Sequence, residues 1–426
     1  MKTSKEIRLI NANKCYFSRD KYIDFFYKHS KEKNKFHIFI LDIQKFRYYN
    51  YVYGYDYGDL IINSFFESIN NRLKYGSEIY RFSADKIILL IEDEEKENTI
   101  NVLKEFDGKL SINNDEIKIE IKAGISTYPD DSDKPDIVLK YSEIALNYAK
   151  QQTREKYKIF KENMYNYVIK TKEAIDSIEK AVDRKEFIVY YQPLIDSKLN
   201  IVYGMEALIR WDKKELGILS PAYFIDILEN TGMIIEVGKF VFEEACKKLK
   251  QCEEIGHEDL SISINVAEIQ FEEKDFLSFI EKTIKDTNVN PKKIIIEITE
   301  RILMSQSEYV IETLQKIREK GIKIYIDDFG TKYSSLNYLF RFPIDGIKID
   351  KSFIDKINES KKELTIVKNI INLAEEIGIE VVAEGVEEKR QLESLIDINC
   401  NKIQGYIFSK PIDSNEIINY LNKFTL

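Results

Sequence analysis

The chain is long for a single domain: its 426 residues favour two units, and a hydrophobic content of 44% is enough to give each unit a core. The formal net charge of -9 argues against a broad binding surface for long nucleic acid, although a metal ion could still bring a small phosphorylated ligand to an acidic site. No segment is apolar over the length of a membrane span and no signal peptide is evident, which predicts a cytoplasmic protein without membrane insertion.

Cysteine and histidine spacing argues against two common kinds of site. The four cysteines form no CxxC pair, which predicts reduced thiols. The three histidines are widely separated along the chain, which argues against a zinc site built from imidazoles.

The chain up to about residue 165 alternates strand and helix patterns. We interpret "FHIFILDI" as a strand, "DLIINSFFESINNRL" as a helix, "YRFSADKIILLIED" as a hairpin, "IKIEIKAGIS" as one further strand and "DIVLKYSEIALNYAKQQ" as a closing helix. The tyrosine-rich "YYNYVYGYDYGD" is interpreted as a half-buried loop leading into a helix. This pattern predicts an α/β sandwich over residues 1–165.

The charged stretch "KENMYNYVIKTKEAIDSIEKAVDRKE" has apolar residues at helical spacing and predicts a connecting helix over residues 166–185. Residues 186–426 then contain eight strand candidates, most of them separated by helical stretches, which fits a (β/α)8 barrel. They are "FIVYYQ", "IVYGMEALIR", "SISINV", "KIIIEI", "IKIYID", "GIKID", "IEVVAE" and "KIQGYIF". Only "PLIDSKLN" joins the first two, so we expect a hairpin there and one antiparallel barrel strand.

Polar side chains stand at or near the end of each predicted barrel strand, and active sites of such barrels lie at the C-terminal ends of their parallel strands. They are Gln192, Glu206, Asn265, Glu297, Asp327 with Asp328, Lys348 with Asp350, Glu384 and Gln404. Any one of them alone is adequately explained as a strand-terminal residue that meets solvent, but a full circuit of oxygen donors is not. Carboxylate and amide oxygens without thiols or imidazoles suit hard cations, which favours Mg²⁺ or Mn²⁺.

The adjacent acids Asp327 and Asp328 end the strand "IKIYID". Two like charges side by side are costly unless cations share them, so the pair predicts two divalent ions. Strand alternation would point the two side chains apart, so the chain must leave the strand here, and Gly330 would ease that turn. Lys348 could orient or deprotonate a water, neutralise a phosphate, or simply form an ion pair with a neighbouring acid.

The triplet "DFG" also occurs in protein kinases, where its aspartate binds Mg²⁺. The chain has no glycine-rich loop, no V-A-I-K strand and no H-R-D segment, so a kinase is excluded.

Seven motifs resemble, in order and spacing, the EAL domain of bacterial cyclic-di-GMP phosphodiesterases over about residues 175–426. They are "YYQPLIDSKLNIVYGMEALIRW", "INVAEIQF", "EITE", "DDFGTKYSSL", "IKIDKSF", "AEGVE" and "QGYIFSKP". Because no metal ligand expected from the family is missing, the resemblance implies an active enzyme that uses two ions.

The resemblance also implies roles for individual residues. One metal ion would be held by Glu206, Asn265, Glu297 and Asp327, and the second by Asp327, Asp328 and Glu384. The catalytic residues would be Glu206, Lys348, Asp328 and Glu384, and the substrate-binding residues Gln192, Arg210, Asp350 and Gln404. Glu300 would fix the loop after "DDFG", in which Lys332 replaces a usual glycine.

Residues 8–163 resemble the GGDEF, or diguanylate cyclase, domain through "FILDIQKFRYYNYVYGYDYGDLI" and "RFSADKIILL". Ser83 and Ala84 replace two signature glycines and Lys86 replaces an acid, so we expect no cyclase activity. Lys74 and Ser77 stand where an RxxD product-inhibition site would lie, and we expect none. Candidate GTP-binding positions survive, so the domain is either a GTP-binding regulator or a scaffold that has lost its ligand. These positions are Asp42, Asn50, Asp59 and Asp85.

These observations predict a cyclic-di-GMP phosphodiesterase. It would hydrolyse one 3′–5′ phosphodiester to give the linear dinucleotide pGpG, by in-line attack of a water activated by the cation pair. The alternative is a receptor that binds cyclic-di-GMP without cleaving it. The resemblance also implies a homodimer.

Overall fold

The computed structural model describes residues 18–32, 34–73, 77–83, 85–106, 108–112, 115–151, 155–304, 308–330, 339 and 341–424. The sequence positions Cys15, Lys74, Ala84 and Lys332 therefore lie outside the described residues. The chain forms two compact units, Met1–Glu173 and Ala174–Leu426. No helix in the described ranges combines the length and the apolarity that crossing a membrane requires.

The first unit is built around a mixed sheet. Its described strands are β1 (Phe36–Ile43), β2 (Glu78–Arg81), β3 (Lys86–Glu92), β4 (Lys109–Ile112), β5 (Asp115–Lys118), β6 (Ile121–Tyr128) and β7 (Tyr157–Ile159). Its described helices are α1 (Arg19–Lys31), α2 (Phe46–Tyr53), α3 (Tyr55–Asn70), α4 (Lys96–Glu105) and α5 (Pro135–Gln151), and α6 (Glu162–Asp183) runs on into the second unit. The strand order is β2-β3-β1-β6-β7, with β4 and β5 in a separate hairpin.

Helices cover both faces of this sheet, because β1 carries apolar side chains on both of its faces. Phe39 and Leu41 pack in one cluster with Phe65 of α3, whereas Ile38 packs in another with Phe26 of α1. A strand buried on both faces reads as a continuous apolar run. The predicted α/β sandwich is confirmed.

Two local interpretations of the first unit were wrong. The stretch "IKIEIKAGIS" forms two strands, because β5 pairs with β4 whereas β6 pairs with β1, and the chain changes partner between them. The tyrosine-rich stretch leads into a helix as expected, since α3 begins at Tyr55, but the segment before it is the helix α2 rather than a half-buried loop. This helix buries only Phe46, so Tyr48, Tyr51 and Tyr53 are exposed.

The second unit alternates strands and helices. Its described strands are β8 (Phe187–Asp196), β9 (Ile201–Lys213), β10 (Gly217–Leu219), β11 (Ser261–Asn265), β12 (Ile294–Thr299), β13 (Lys323–Phe329), β14 (Gly346–Ile349), β15 (Glu380–Ala383) and β16 (Lys402–Ile403). Its described helices are α7 (Ile225–Thr231), α8 (Ile234–Glu254), α9 (Glu268–Phe271), α10 (Phe276–Thr287), α11 (Glu300–Met304), α12 (Glu308–Glu319), α13 (Lys351–Ile354), α14 (Lys361–Glu376), α15 (Lys389–Asp397) and α16 (Glu416–Phe424).

These strands close into a barrel in the order β9-β11-β12-β13-β14-β15-β16-β8, and β8 pairs back onto β9. The strand β8 is antiparallel to both neighbours, whereas the strands from β9 to β16 run parallel around the rest of the circuit. The short β10 extends β9 as a hairpin outside the circuit. The predicted eight-stranded barrel with one antiparallel strand is confirmed.

Side chains inside the barrel form layers, as alternation along each strand requires. The middle layer is apolar and contains Ile295, Tyr325 and Val382. Glu380 lies two residues before Val382 on β15. It accepts hydrogen bonds from Lys323 Nζ (2.6 Å) and Tyr325 Oη (2.8 Å) and pairs with Lys402. Two residues beyond the apolar layer, towards the C-terminal ends of the parallel strands, the interior becomes polar again and forms the candidate site.

The Glu380 cluster makes the stability of the barrel dependent on pH. Burial alone raises the pKa of Glu380, but its bonds to Lys323, Lys402 and Tyr325 outweigh burial and lower the pKa from 4.5 to about 2. The carboxylate therefore stabilises the fold fully above pH 4.5, and this contribution disappears as the pH falls through about 2.

We expect Glu380→Gln to lower the free energy of unfolding of the barrel by about 2 kcal/mol at pH 7, after allowance for the partial exposure of the side chain. The difference in the free energy of unfolding between variant and wild type should be smaller at pH 3.5 than at pH 7. Chemical denaturation followed by the fluorescence of Trp211, the single tryptophan of the chain, measures this. An equal difference at both pH values would contradict the assigned ionic role.

Candidate active site

The residues predicted for the mouth lie on neighbouring strands of the barrel. Gln192 of β8 stands opposite Glu206 of β9, and Asn265 of β11 stands opposite Glu297 of β12. Continuing around the circuit, β14 contributes Lys348 at the same level. Adjacent strands therefore bring together side chains that are far apart in the sequence.

The twin aspartates lie where β13 departs from regular pairing. The register of β13 against β14 shifts between Ile326 and Phe329, and Asp328 adopts a left-handed backbone with φ of 51°. Aspartate tolerates this conformation because its short polar side chain can bond locally. The irregularity removes strict alternation: carboxylate oxygens of Asp327, Asp328 and Glu384 all lie within 4.8 Å of one another.

Lys348 is the charge centre of the site. Its side chain is only 1% exposed, and its Nζ lies 2.8 Å from Glu297 Oε2, 3.1 Å from Glu206 Oε2 and 2.5 Å from Glu384 Oε1. Asp327 Oδ1 is also in ion-pair range at 3.5 Å. A single ammonium group thus contacts four carboxylates, and we call these five side chains the carboxylate cage.

Amide side chains hold Glu206 in position within the cage. Gln404 Nε2 donates to Glu206 Oε2 at 2.5 Å, and Asn265 Nδ2 donates to Glu206 Oε1 at 2.6 Å. Gln404 Nε2 also donates to Gln192 Oε1 at 3.0 Å. Glu206, although placed well inside a long strand, is therefore a fully engaged member of the site.

The surroundings shift the pKa values of the cage residues in different directions. Burial alone raises the pKa of Glu206, but the Lys348 charge and the hydrogen bonds of Glu206 bring it below its ordinary value. Burial raises the pKa of Glu297 well above its usual range and that of Glu384 to about 8. Burial lowers the pKa of Lys348, but the four acids outweigh burial and raise it well above its usual range. Lys348 therefore remains charged at neutral pH.

The donor set fits a pair of divalent cations. With Asp328, five carboxylates surround one ammonium group, which leaves four net negative charges when all are ionised, the charge that two divalent ions would neutralise. Among the described residues, none donates a hydrogen bond to three buried oxygens, Glu297 Oε1, Asp327 Oδ1 and Gln404 Oε1. Buried oxygens without a donor are costly, and oxygen-only sites suit Mg²⁺ or Mn²⁺.

An open groove of about 760 Å³ adjoins the twin aspartates. Its lining includes Asp327, Asp328, Thr299 and Arg301. The acids of the site can therefore be reached by a ligand from outside the barrel.

Glu300 holds the chain just after β13. Its Oε1 accepts a hydrogen bond from Gly330 N at 2.8 Å. Gly330 has φ of +100°, and a Cβ there would lie 2.5 Å from the ring of Phe353, so both the conformation and the space require glycine. The loop predicted to be fixed by Glu300 continues into residues 331–338, which lie outside the described residues.

The residues predicted to contact substrate have different surroundings. Arg210 NH1 donates to Ile209 O, and its guanidinium lies 5.7 Å from the ring centre of Tyr190. Asp350 accepts a hydrogen bond from Ser352 N at 3.0 Å and caps α13. Sequence reasoning did not anticipate this capping role.

In the first unit, the candidate metal ligand Asp42 already has an internal cation. Its buried carboxylate lies 2.5 Å from Lys150 Nζ and 2.6 Å from Gln44 Nε2. Lys86, which replaces an acid of the family signature, stands directly opposite Asp42 in the sheet register. Lys150 was missed from the sequence because it follows Asp42 by more than a hundred residues and no pattern links the two.

The other candidate nucleotide positions also have partners or are enclosed. Asp59 pairs with Arg81 at 2.9 Å, and Asp85 accepts from Ser83 Oγ at 2.9 Å. Asn50 Oδ1 is buried and accepts no hydrogen bond from the part of the chain that the structure describes. Among the described residues, Asp42 and Asp59 are therefore each engaged by an internal cation.

Comparison with known proteins identifies the two units. The family model described as the EAL domain matches residues 175–411. The chain belongs to the EAL family. The model described as diguanylate cyclase, GGDEF domain matches residues 12–156, so the predicted GGDEF–EAL tandem is confirmed.

Relatives of this tandem chain include two proteins of Pseudomonas aeruginosa. The bifunctional diguanylate cyclase/cyclic di-GMP phosphodiesterase MucR is 29% identical over 392 residues, covering 91% of this chain and 57% of MucR. The cyclic di-GMP phosphodiesterase NbdA is 28% identical over 391 residues, covering 91% of this chain and 50% of NbdA. The chain therefore spans about half the length of the curated relatives it matches.

Among solved structures, the PaMucR phosphodiesterase in complex with c-di-GMP matches the EAL unit. It is 31% identical in sequence and has a TM-score of 0.56. The match covers 57% of this chain and 99% of the PaMucR chain.

Cation binding at the cage should release protons. Because burial and neighbouring acids raise the pKa of Glu384 to about 8, the cation-free site carries protons at pH 7 that a divalent ion must displace. We expect the affinity for Mn²⁺ to rise by up to about tenfold per pH unit between pH 6 and 8. Calorimetry in buffers of different ionisation enthalpy measures the released protons. Binding with the same affinity at pH 6 and pH 8 would contradict this.

Proposed function

We propose that the EAL unit is a cyclic-di-GMP phosphodiesterase that hydrolyses one 3′–5′ phosphodiester bond to give pGpG. The observation that carries the proposal is the carboxylate cage at the barrel mouth, with Asp328 beside it. Support also comes from relatives named as cyclic di-GMP phosphodiesterases and from the solved PaMucR phosphodiesterase in complex with c-di-GMP.

The proposed cation sites use oxygens from neighbouring strands. Glu206, Asn265, Glu297 and Asp327 would hold one Mg²⁺ or Mn²⁺ ion, and Asp327, Asp328 and Glu384 would hold the second. When bound, such a pair lowers the pKa of water and stabilises charge on the attacking and leaving oxygens of a phosphodiester.

The protein side chains supply position and charge. Lys348 remains an ammonium in its acidic surroundings, so we assign it the role of orienting the nucleophilic water and balancing charge rather than acting as a base. Gln404 and Asn265 fix the carboxylate of Glu206 through their hydrogen bonds. Hydrolysis adds one water across a phosphorus–oxygen bond: the hydroxyl stays on phosphorus and the proton ends on the released 3′ oxygen.

The first unit is proposed to be a catalytically inactive GGDEF domain that serves as a scaffold. Lys150 already neutralises Asp42, and Lys86 adds a positive charge in the same register, so a cation with triphosphate would have to displace an internal ion pair. These contacts favour the scaffold over the GTP-binding regulator. A homodimer stays a prediction of the family resemblance.

We expect Glu206→Gln and Asp327→Asn each to reduce turnover of cyclic-di-GMP at least about 10³-fold, because each removes a negative charge from the proposed cation sites. Formation of pGpG with Mg²⁺ or Mn²⁺, followed by chromatography, measures this. Glu376→Gln on the exposed surface of α14 is the matched control and should retain full activity.

Measurable rates close to wild type in either cage variant would overturn the ligand assignment. Tight binding of cyclic-di-GMP by the wild type with no product would instead support a receptor.

We expect no cyclic-di-GMP to form from GTP and Mg²⁺, because Lys86 and Lys150 occupy the surroundings of Asp42 with positive charge. Saturating GTP should also leave hydrolysis of cyclic-di-GMP unchanged. The same chromatographic assay with added GTP, together with equilibrium dialysis of labelled GTP, tests both points. A rate change together with GTP binding would replace the scaffold by the regulatory interpretation.

A further inference from the structure

The first unit carries a tyrosine-rich surface that neither its core nor the proposed chemistry uses. Six of the 27 tyrosines of the chain lie within residues 48–57. The large side chains of this stretch that are between 51% and 77% exposed form what we call the tyrosine surface. They are Tyr48, Tyr51, Val52, Tyr53 and Tyr55. Because they fall within eight consecutive residues, they lie close together on one part of the unit.

The helix α2, which carries most of this surface, is poorly supported by the core of its own unit. It has eight residues and buries only Phe46. Tyrosine, valine and asparagine are weak helix formers, and a helix of this length is marginal unless one of its faces is packed. Tyr48, Tyr51 and Val52 are three and four residues apart and therefore share the face that is turned away from Phe46. A partner that covers this face would stabilise the helix.

The size and composition of the tyrosine surface favour a protein as that partner. A buried tyrosine contributes about 200 Å², so the exposed parts of the four tyrosines offer about 550 Å². Two copies that cover each other would bury about 1,100 Å², which suits a specific but weak interface. Tyrosine and arginine are enriched at such interfaces and lysine is depleted. Residues 47–56 contain five tyrosines and one arginine but no lysine.

The charges at the two ends of the stretch make the surface complementary to itself. Arg47 precedes the tyrosine surface and Asp56 follows it, and both residues are exposed. A two-fold axis through the centre of the surface would place Arg47 of each copy beside Asp56 of the other copy. The stretch carries no net charge of its own, whereas the net charge of -9 of the whole chain argues against a nucleic acid as the occupant.

We propose that the tyrosine surface binds the same surface of a second copy of this chain, which joins two first units in a reversible, two-fold symmetric contact. Tyrosine rings of both copies form the centre of this contact, and two pairs of Arg47 with Asp56 form its rim. The inference goes beyond the proposed function, because it gives the first unit a task that needs neither GTP nor cyclic-di-GMP. It does not depend on hydrolysis by the EAL unit.

Sedimentation equilibrium of the full chain without nucleotide measures the association. We expect a dissociation constant in the micromolar range. The double variant Tyr48→Ser/Tyr51→Ser should raise this constant at least about tenfold, because aromatic side chains at the centre of an interface carry most of its binding energy. Tyr27→Ser removes an exposed ring from α1 and is the matched control, which should associate like the wild type. A chain that stays monomeric at about 100 µM, or a double variant that associates like the wild type, would overturn the proposal.

Charge reversal and cross-linking test the two-fold arrangement. At low ionic strength, Arg47→Asp and Asp56→Arg should each raise the dissociation constant about fivefold, because each places like charges together at both ends of the contact. The combined variant restores opposite charges and should return to within about twofold of the wild type. A short bismaleimide should join two copies of Tyr51→Cys, whereas Tyr27→Cys should give no more covalent dimer than the wild type. No recovery in the combined variant, or no covalent dimer from Tyr51→Cys, would overturn the proposed contact.

Discussion

The single ammonium group of Lys348 sets the electrostatic constraint on which the barrel mouth depends. It contacts four carboxylates, of which Glu206 and Glu297 are buried, and one positive charge cannot neutralise four. A buried carboxylate without compensation must take up a proton or find a cation. Without cations the site holds protons, as the raised pKa values of Glu297 and Glu384 indicate. The same imbalance favours the proposed binding of divalent ions at this site.

The barrel can accommodate this concentration of charge because its interior is built in layers. The polar layer at the mouth lies above an apolar layer around Tyr325, which in turn lies above the ionic cluster around Glu380. The two polar layers differ in one respect that decides their roles. Glu380 is surrounded by Lys323, Lys402 and Tyr325, so its charge is satisfied within the protein. The acids around Lys348 outnumber the lysine, so of these two layers it is the one at the mouth whose negative charge is not balanced within the protein.

Sequence reasoning predicted the barrel and the set of mouth residues because both follow from local patterns: apolar runs ending in polar residues, repeated around a parallel circuit. It could not predict how the carboxylates of Asp327 and Asp328 come to lie within 4.8 Å of each other, since the left-handed backbone of Asp328 accompanies the register shift between β13 and β14. Nor could it predict the Lys150–Asp42 pair, which only the folded sheet brings together. The split of "IKIEIKAGIS" was missed because one apolar pattern serves two pairing partners.

A comparison of Lys150 with Lys348 explains why the two units of one chain differ in their expected use of metal ions. Each lysine pairs with an acid that the family resemblance assigns to a metal. Around Asp42 the positive charges of Lys150 and Lys86 equal or exceed the nearby negative charge, so a divalent ion would gain little and would have to break an ion pair at 2.5 Å. Around Lys348 the acids outnumber the lysine, so a cation relieves repulsion instead of competing. The local balance of charge, rather than the survival of any single ligand, therefore favours cation binding around Lys348 and disfavours it around Asp42.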